Sequence, residues 1–109
     1  MNESQFTDIT QWQAKTFPTA TPVSKLFHLR DEVGELISAI KMLDEDAELE
    51  FADCFILLYG AAAAAGFSYQ DICDFIEKKF LINQGRTWGE PDENGVINHV
   101  DPSQMKLDL

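Results

Sequence analysis

Residues 48–67 read Glu48-Leu49-Glu50-Phe51-Ala52-Asp53-Cys54-Phe55-Ile56-Leu57-Leu58-Tyr59-Gly60-Ala61-Ala62-Ala63-Ala64-Ala65-Gly66-Phe67. From Phe51 onward the single charged residue is Asp53. A long apolar run ending in five alanines, the strongest helix formers, predicts a helix that is apolar all round and therefore buried. Gly66 supplies its stop. The run from Phe55 to Phe67 is too short to cross a bilayer, with Asp53 beside it. A lone ionised carboxylate in such a helix is costly and seeks a cation. The chain has only 8 lysines and arginines to offer, so a metal ion is a natural solution.

Working outward, Asp44-Glu45-Asp46 makes the turn before this helix and supplies acids to its start. Upstream, Thr21-Pro22 opens a long helix, with Thr21 as N-cap and Pro22 at the first position, running to about Leu43. Its apolar stripe is Leu26, Leu29, Val33, Leu36, Ile37 and Ile40. A first helix spans about 4–16, with Phe6, Ile9, Trp12 or Gln13, and Phe17 at helical spacing, and Phe17-Pro18 ends it. Downstream, Ser68 and Asp71 resemble a capping box. It opens a fourth helix carrying Ile72, Phe75, Ile76 and Phe80, which fades near Gly85. Glu90-Pro91-Asp92-Glu93-Asn94-Gly95 is turn chemistry. Val96–Val100 reads as a short strand or an extended segment, and nothing else reads as a strand. The expectation is an all-α, four-helix bundle with an irregular C-terminal arm, in one domain spanning 1–109.

A net charge of −11, from 19 acidic and 8 basic residues, disfavours nucleic acid and anionic membranes as partners. Cys54 and Cys73 match no zinc or redox spacing. As free thiols in apolar helical stretches they suit a reducing cytoplasm. The N-terminus, Met1-Asn2-Glu3-Ser4-Gln5, lacks the basic and apolar regions of a signal peptide. A core of this size is modest. Long, few helices leave apolar surface without a partner in the chain, which favours an oligomer.

The acids fall into two pairs. Glu32 and Glu35 are three apart on the second helix, about 60° apart around it, and project towards one region. The centre of the apolar stripe lies about 85° from Glu32, placing Glu32 at the border of the buried face. Glu50 and Asp53 repeat the spacing on the third helix. Consecutive helices joined by a short turn are antiparallel neighbours, so the pairs can meet as a four-carboxylate cage. Ligation by oxygen alone suits Mg²⁺ or Mn²⁺ rather than Zn²⁺. An E-x-x-E pair alone is common on solvated faces; the second pair, set in apolar sequence, is what favours a metal.

On the fourth helix Lys79, Asn83 and Arg86, at steps of four and three, share one stripe. A metal facing such a stripe makes a receptor for a polyphosphate, although such a stripe also arises as a surface paired with local acids. Trp12, Phe27 and Trp88 are candidates for stacking on a base or for core packing. His28 lies one turn before Glu32, where it could hydrogen-bond a carboxylate or approach a substrate. No G-x-x-x-x-G-K-[ST] loop is present.

E-x-x-E, fourteen residues, then E-x-x-D, here Glu32, Glu35, Glu50 and Asp53, resembles the MazG-like, all-α nucleoside triphosphate pyrophosphatases. The strings His28–Leu36, Glu50–Cys54, and Lys79 through Asn83 to Arg86-Thr87-Trp88-Gly89 extend the resemblance. The tail, Trp88–Asp92 and Gly95–Val100, is similar to a branch of dATP/dGTP pyrophosphohydrolases that includes phage enzymes. Two departures stand out. Asp31 occupies a place where the family often has Glu, and Gly85 stands where a helix former is common, which loosens the aim of Arg86.

The resemblance implies a cytoplasmic, Mg²⁺-dependent nucleoside triphosphate diphosphatase, releasing pyrophosphate and a monophosphate and working as a homodimer or homotetramer. Glu32, Glu35, Glu50 and Asp53 would be the metal and catalytic residues, with Glu35 as a candidate base. Lys79, Asn83, Arg86, His28 and Trp12 would hold substrate, and the Ala61–Ala65 surface would be one contact between subunits. Purine specificity, dATP or dGTP, rests on the tail. Two alternatives stay open: a relative acting on a pyrimidine dNTP or phosphoribosyl-ATP, and a non-catalytic helical module that binds Mg²⁺ structurally.

Overall fold

Capping chemistry sets the helix starts. In a computed structural model that describes residues 1–101, Asn2 Oδ1 accepts from the Gln5 amide at 2.8 Å and opens α1, Glu3–Thr16. Thr21 and Ser24 cap one another reciprocally, each side chain accepting from the other's backbone amide, and open α2, Pro22–Lys41. The turn 42–46 carries Leu43 at φ 53°, a left-handed residue that reverses the chain into α3, Ala47–Ala64. Gly66, at φ 98°, ends that helix in a conformation open to glycine without strain. Ser68 and Asp71 then form the expected box, at 2.9 and 3.1 Å, at the head of α4, Tyr69–Gln84. The class is all-α. Among the described residues no single helix is long and apolar enough to cross a membrane.

The chain divides into two compact units, Met1–Cys73 and the residues from Asp74 onward. In the first, α2 and α3 pack along each other and α1 packs on α3. The α2 positions withdrawn from solvent are Lys25, Leu29, Glu32, Leu36 and Ala39; those of α3 are Ala47, Glu50, Cys54, Leu57 and Ala61. Both sets step alternately by four and three or three and four, the repeat of a coiled-coil seam. A second stripe of α3, Ile56, Tyr59, Gly60 and Ala63, faces α1. There the buried Gln13 side chain donates to the Ile56 carbonyl at 3.1 Å. Gly60 permits this approach: a Cβ would lie 2.7 Å from Gln13 Cδ and Nε2. Phe6, packed against the rings of Tyr59 and Tyr69, and Ile72 complete the small core.

Three expectations change. The α3 helix is not buried all round: Phe51, Phe55 and Leu58 are 45%, 57% and 51% exposed, because α2 and α1 cover only two of its sides. The apolar stripe of α2 is not its buried face. Leu26, Val33, Ile37 and Ile40 are exposed, and Glu32 lies in the middle of the seam rather than at its border. The stripe averaged two faces, one turned to α3 and one left open. The small-residue run begins inside the chain, with Ala61 buried beside the α1–α3 contact and only Ala64 and Ala65 exposed.

In the second unit, α4 stops at Gln84, just before Gly85. Thr87–Trp88 forms β1 and pairs antiparallel with β2, His99–Val100, so a second short strand exists that the sequence did not suggest. Between them Asp92 Oδ1 accepts from the Asn94 and Val96 amides, and Gly95 turns at φ 80°. Gly89 lies against Val100, where a Cβ would come within 2.9 Å of Cγ2.

Candidate metal and nucleotide site

The seam brings acids together in the middle of the α2–α3 pair. One carboxylate oxygen from each of Glu32, Glu35 and Glu50 lies within 4.8 Å of the other two. Glu32 and Glu50 are half-buried and Glu35 is exposed. Burial raises the Glu32 carboxyl above its ordinary pKa; Glu35 adds to this by charge and by a shared hydrogen bond, Asp53 adds by charge, and His28 opposes it. His28 Nε2 sits 3.3 Å from Glu32 Oε1, so the histidine takes the first of its two expected roles. Glu50 Oε2 is buried without a hydrogen-bond partner. A buried carboxylate oxygen left unpaired beside two further carboxylates is unfavourable as it stands and fits a hard cation.

Asp53, one turn after Glu50, is exposed and outside this triad, although its charge reaches both Glu32 and Cys54. Burial, and then Glu32, Asp53 and Glu50, push the Cys54 thiol up from its ordinary pKa, which disfavours the thiolate. A cleft of about 670 Å³ opens beside the triad, lined by Glu35 and Glu50 with Asp31, Ser38, Met42 and Asp44 among others. Asp31 therefore borders the site without joining the triad.

Of the other expected site residues, Trp12 is 57% exposed and packs edge-on against Phe17 at 5.7 Å. Lys79, Asn83 and Arg86 belong to the second unit. Lys79 is exposed, while Asn83 and Arg86 are half-buried. Asn83 Oδ1 is buried and unpartnered, and its backbone carbonyl accepts from Trp88 Nε1 at 3.0 Å. Arg86 lies beyond the helix end, its amide held 3.3 Å from the same carbonyl. The loosening implied by Gly85 is thus a helix end.

The dATP/dGTP pyrophosphohydrolase family matches residues 5–105. The chain belongs to that family. It is accordingly an enzyme of the nucleoside triphosphate pyrophosphatase kind. A dATP/dGTP diphosphohydrolase of Cyanophage S-2L is 32% identical over 96 residues, covering 88% of this chain and 85% of the relative. A solved structure of a Cyanophage S-2L MazG-like pyrophosphohydrolase, bound to dGDP and three catalytic Mn²⁺ ions per active site, superposes with a TM-score of 0.75 at 29% identity. It covers 93% of this chain and 99% of that one. The fold expected from the four-carboxylate spacing is therefore the fold found.

Sequence reasoning missed Lys25, which it counted only as a cation. It is buried at the N-terminal end of the seam. The signal was available: Lys25, Leu29, Glu32, Leu36 and Ala39 keep a strict three-four spacing, but two charged members hid it from a hydrophobicity reading.

Proposed function

We propose that this enzyme hydrolyses a purine deoxynucleoside triphosphate, dATP or dGTP, to the monophosphate and pyrophosphate, in the cytoplasm and with Mg²⁺, for which Mn²⁺ can substitute. The observation that carries the reading is the unpartnered, buried Glu50 oxygen within a triad of converging carboxylates. Glu32, Glu35 and Glu50 would hold the metal, with Asp53 completing the set from the next turn of α3. When bound, the divalent metal supplies charge neutralisation for the triphosphate and activation of the attacking water. Glu35, the most exposed of the triad, would be the group to take a proton from that water. His28 fixes the Glu32 carboxylate through its 3.3 Å contact. Lys79, Asn83 and Arg86 would neutralise and hydrogen-bond the phosphates, and Trp12 would stack on the base.

The enzyme would act as a homo-oligomer, dimer or tetramer. Relative to the seam, Leu26, Val33, Ile37 and Ile40 on α2 and Phe51, Phe55 and Leu58 on α3 are rotated, on average, by about 90° in the same sense. On antiparallel helices equal rotations lead to one side of the pair, so both exposed stripes form a single apolar face. Glu35 and Asp53 are rotated the other way by about 80°, onto the opposite side. A continuous apolar face of this kind marks a protein contact, and a second copy supplies a matching one.

The test is product analysis. The pure protein is incubated with each common NTP and dNTP, with Mg²⁺ and then with EDTA. Monophosphate and pyrophosphate from dATP or dGTP, abolished by EDTA, are expected. Diphosphate and phosphate would place the cut at the wrong bond and overturn the reading.

A further inference from the structure

The last carbonyls of a helix have no partner within it, and those at the end of α4 are met by the residues that follow. The Gly85 amide donates to the carbonyls of Leu81 and Ile82, at 3.3 and 3.1 Å, which tightens the final turn. The Asn83 carbonyl takes two donors: the Arg86 amide at 3.3 Å and, from a side chain five residues on, Trp88 Nε1 at 3.0 Å. Trp88 is itself held from the far side. It pairs with His99 across β1–β2, and the two rings meet edge-on at 6.2 Å. The next amide, that of Gly89, donates to the Asn98 carbonyl at 2.9 Å. Arg86 stands between these two anchorages, beside Gly85, a residue type with wide backbone freedom. Among the described residues neither a hydrogen bond nor an ion pair holds the Arg86 guanidinium, so its aim follows from the main chain.

We propose that Trp88 is a positioning residue for the triphosphate: its indole N–H, bound to the Asn83 carbonyl, fixes the main chain from which Arg86 reaches the phosphates. The inference rests on the hydrolase reading above, in which Arg86 meets the phosphates, and adds the residue that aims it. A guanidinium binds a phosphate through two parallel donors, and a small rotation of the Arg86 backbone is magnified along its side chain. The pairing of β1 with β2 holds Thr87 and Trp88 but leaves the step from Gln84 to Arg86 free to turn. The indole closes that step by returning to the helix end. Two observations favour this role over stacking on a base. The indole N–H is already committed to the carbonyl, and the ring is packed with His99. Trp88 also borders a cavity of about 340 Å³ with Phe80, Asn83 and Gln84, so it lies beside the Asn83 side chain as well as on its carbonyl.

The experiment measures kcat and KM for wild type, Trp88→Phe, Arg86→Ala and the double variant, on whichever of dATP and dGTP wild type hydrolyses better. Trp88→Phe keeps an aromatic ring against His99 and removes the N–H. Its KM is expected to rise by about three- to tenfold, the effect of one hydrogen bond, with kcat little changed. In the Arg86→Ala background Trp88→Phe should raise KM no further, since the side chain it aims is gone. A KM unchanged by Trp88→Phe would overturn the proposal. So would a rise that persists in full without Arg86, which would make Trp88 a substrate contact of its own or a support of the fold. A KM unchanged by Arg86→Ala would overturn it too, by removing Arg86 from the phosphates. If Trp88→Phe does not fold, benzothienylalanine in place of Trp88, which keeps the shape of the indole and replaces only its N–H, is judged by the same outcomes. Absence of hydrolysis by wild type would end the hydrolase reading and the proposal together, whereas active wild type with additive losses overturns the proposal alone.

Discussion

The two sides of the α2–α3 pair are built from the same helices and the same three-four spacing, yet they differ in what they need. One side gathers Glu32, Glu35 and Glu50 within 4.8 Å, with one oxygen buried and unpartnered. The other exposes Val33, Ile37, Ile40, Phe51, Phe55 and Leu58. The first side is short of positive charge and the second is short of apolar cover. Neither deficiency is met within unit Met1–Cys73, and the proposed function assigns an occupant to each: a metal with its nucleotide on one side, a second copy on the other.

The largest effect is expected on the acidic side. Glu50→Gln keeps the shape and removes one charge from the metal set. Turnover should fall by about 10²–10³-fold or more, as when a group stabilising transition-state charge is lost. Folding should be kept, because carboxylate repulsion is relieved. Pyrophosphate release and circular dichroism read the two together. Near-normal turnover with Mg²⁺ would remove Glu50 from the site. Asp53→Asn sharpens the comparison, since Asp53 lies outside the triad yet is proposed to complete the metal set: a loss as deep as that of Glu50→Gln is expected, and near-normal turnover would leave the metal to the triad alone.

The apolar side is tested next. Phe55→Glu places a charge at the centre of the exposed stripe of α3. If this face joins two copies, the molar mass by light scattering should halve at micromolar concentration, because a desolvated unpaired charge costs several kcal/mol. An unchanged mass would leave the face without that role. The wild-type mass decides between dimer and tetramer.

These two sides also explain how much of the protein was legible in its sequence. Capping residues fixed the helices closely, because Thr21, Ser68 and Gly66 act through local hydrogen bonds and backbone geometry. The convergence of Glu32, Glu35 and Glu50 was legible because E-x-x-E and E-x-x-D repeat on neighbouring helices, while Asp53, the fourth acid of that pattern, lies outside the triad. The orientation of α2 was not. Its hydrophobic stripe pointed to the open face, whereas Lys25 and Glu32, both charged, lie in the seam. Periodicity records where apolar residues are, not whether the surface they need belongs to the same chain. The β1–β2 pair escaped notice because Thr87–Trp88 is too short to show alternation.

A third side of α3 offers a smaller effect. At Gly60 a Cβ would press on the Gln13 amide. Gly60→Ala should therefore cost about 1–3 kcal/mol, the usual penalty of overpacking, measured by urea unfolding. The double variant with Gln13→Ala should recover part of this by making room. If Gly60→Ala is neutral, the α1–α3 contact is looser than the geometry requires.

The smallest effect concerns pH. Glu32 binds its proton more tightly in the folded protein than its ordinary value allows, through burial first and then Glu35. A carboxyl raised on folding contributes stability below its unfolded value and loses that contribution as pH rises through the folded value. In EDTA, the part of thermal stability owed to Glu32 should thus decline as pH climbs above the ordinary glutamate range. Saturating Mg²⁺ should reverse the trend, because ligation requires the ionised carboxylate, so the rise in Tm on adding Mg²⁺ should grow with pH through that window. Glu32→Gln should flatten both dependences. A Mg²⁺ increment independent of pH in wild type would separate Glu32 from the metal, and the acidic side would then owe its raised carboxyl to burial and repulsion alone.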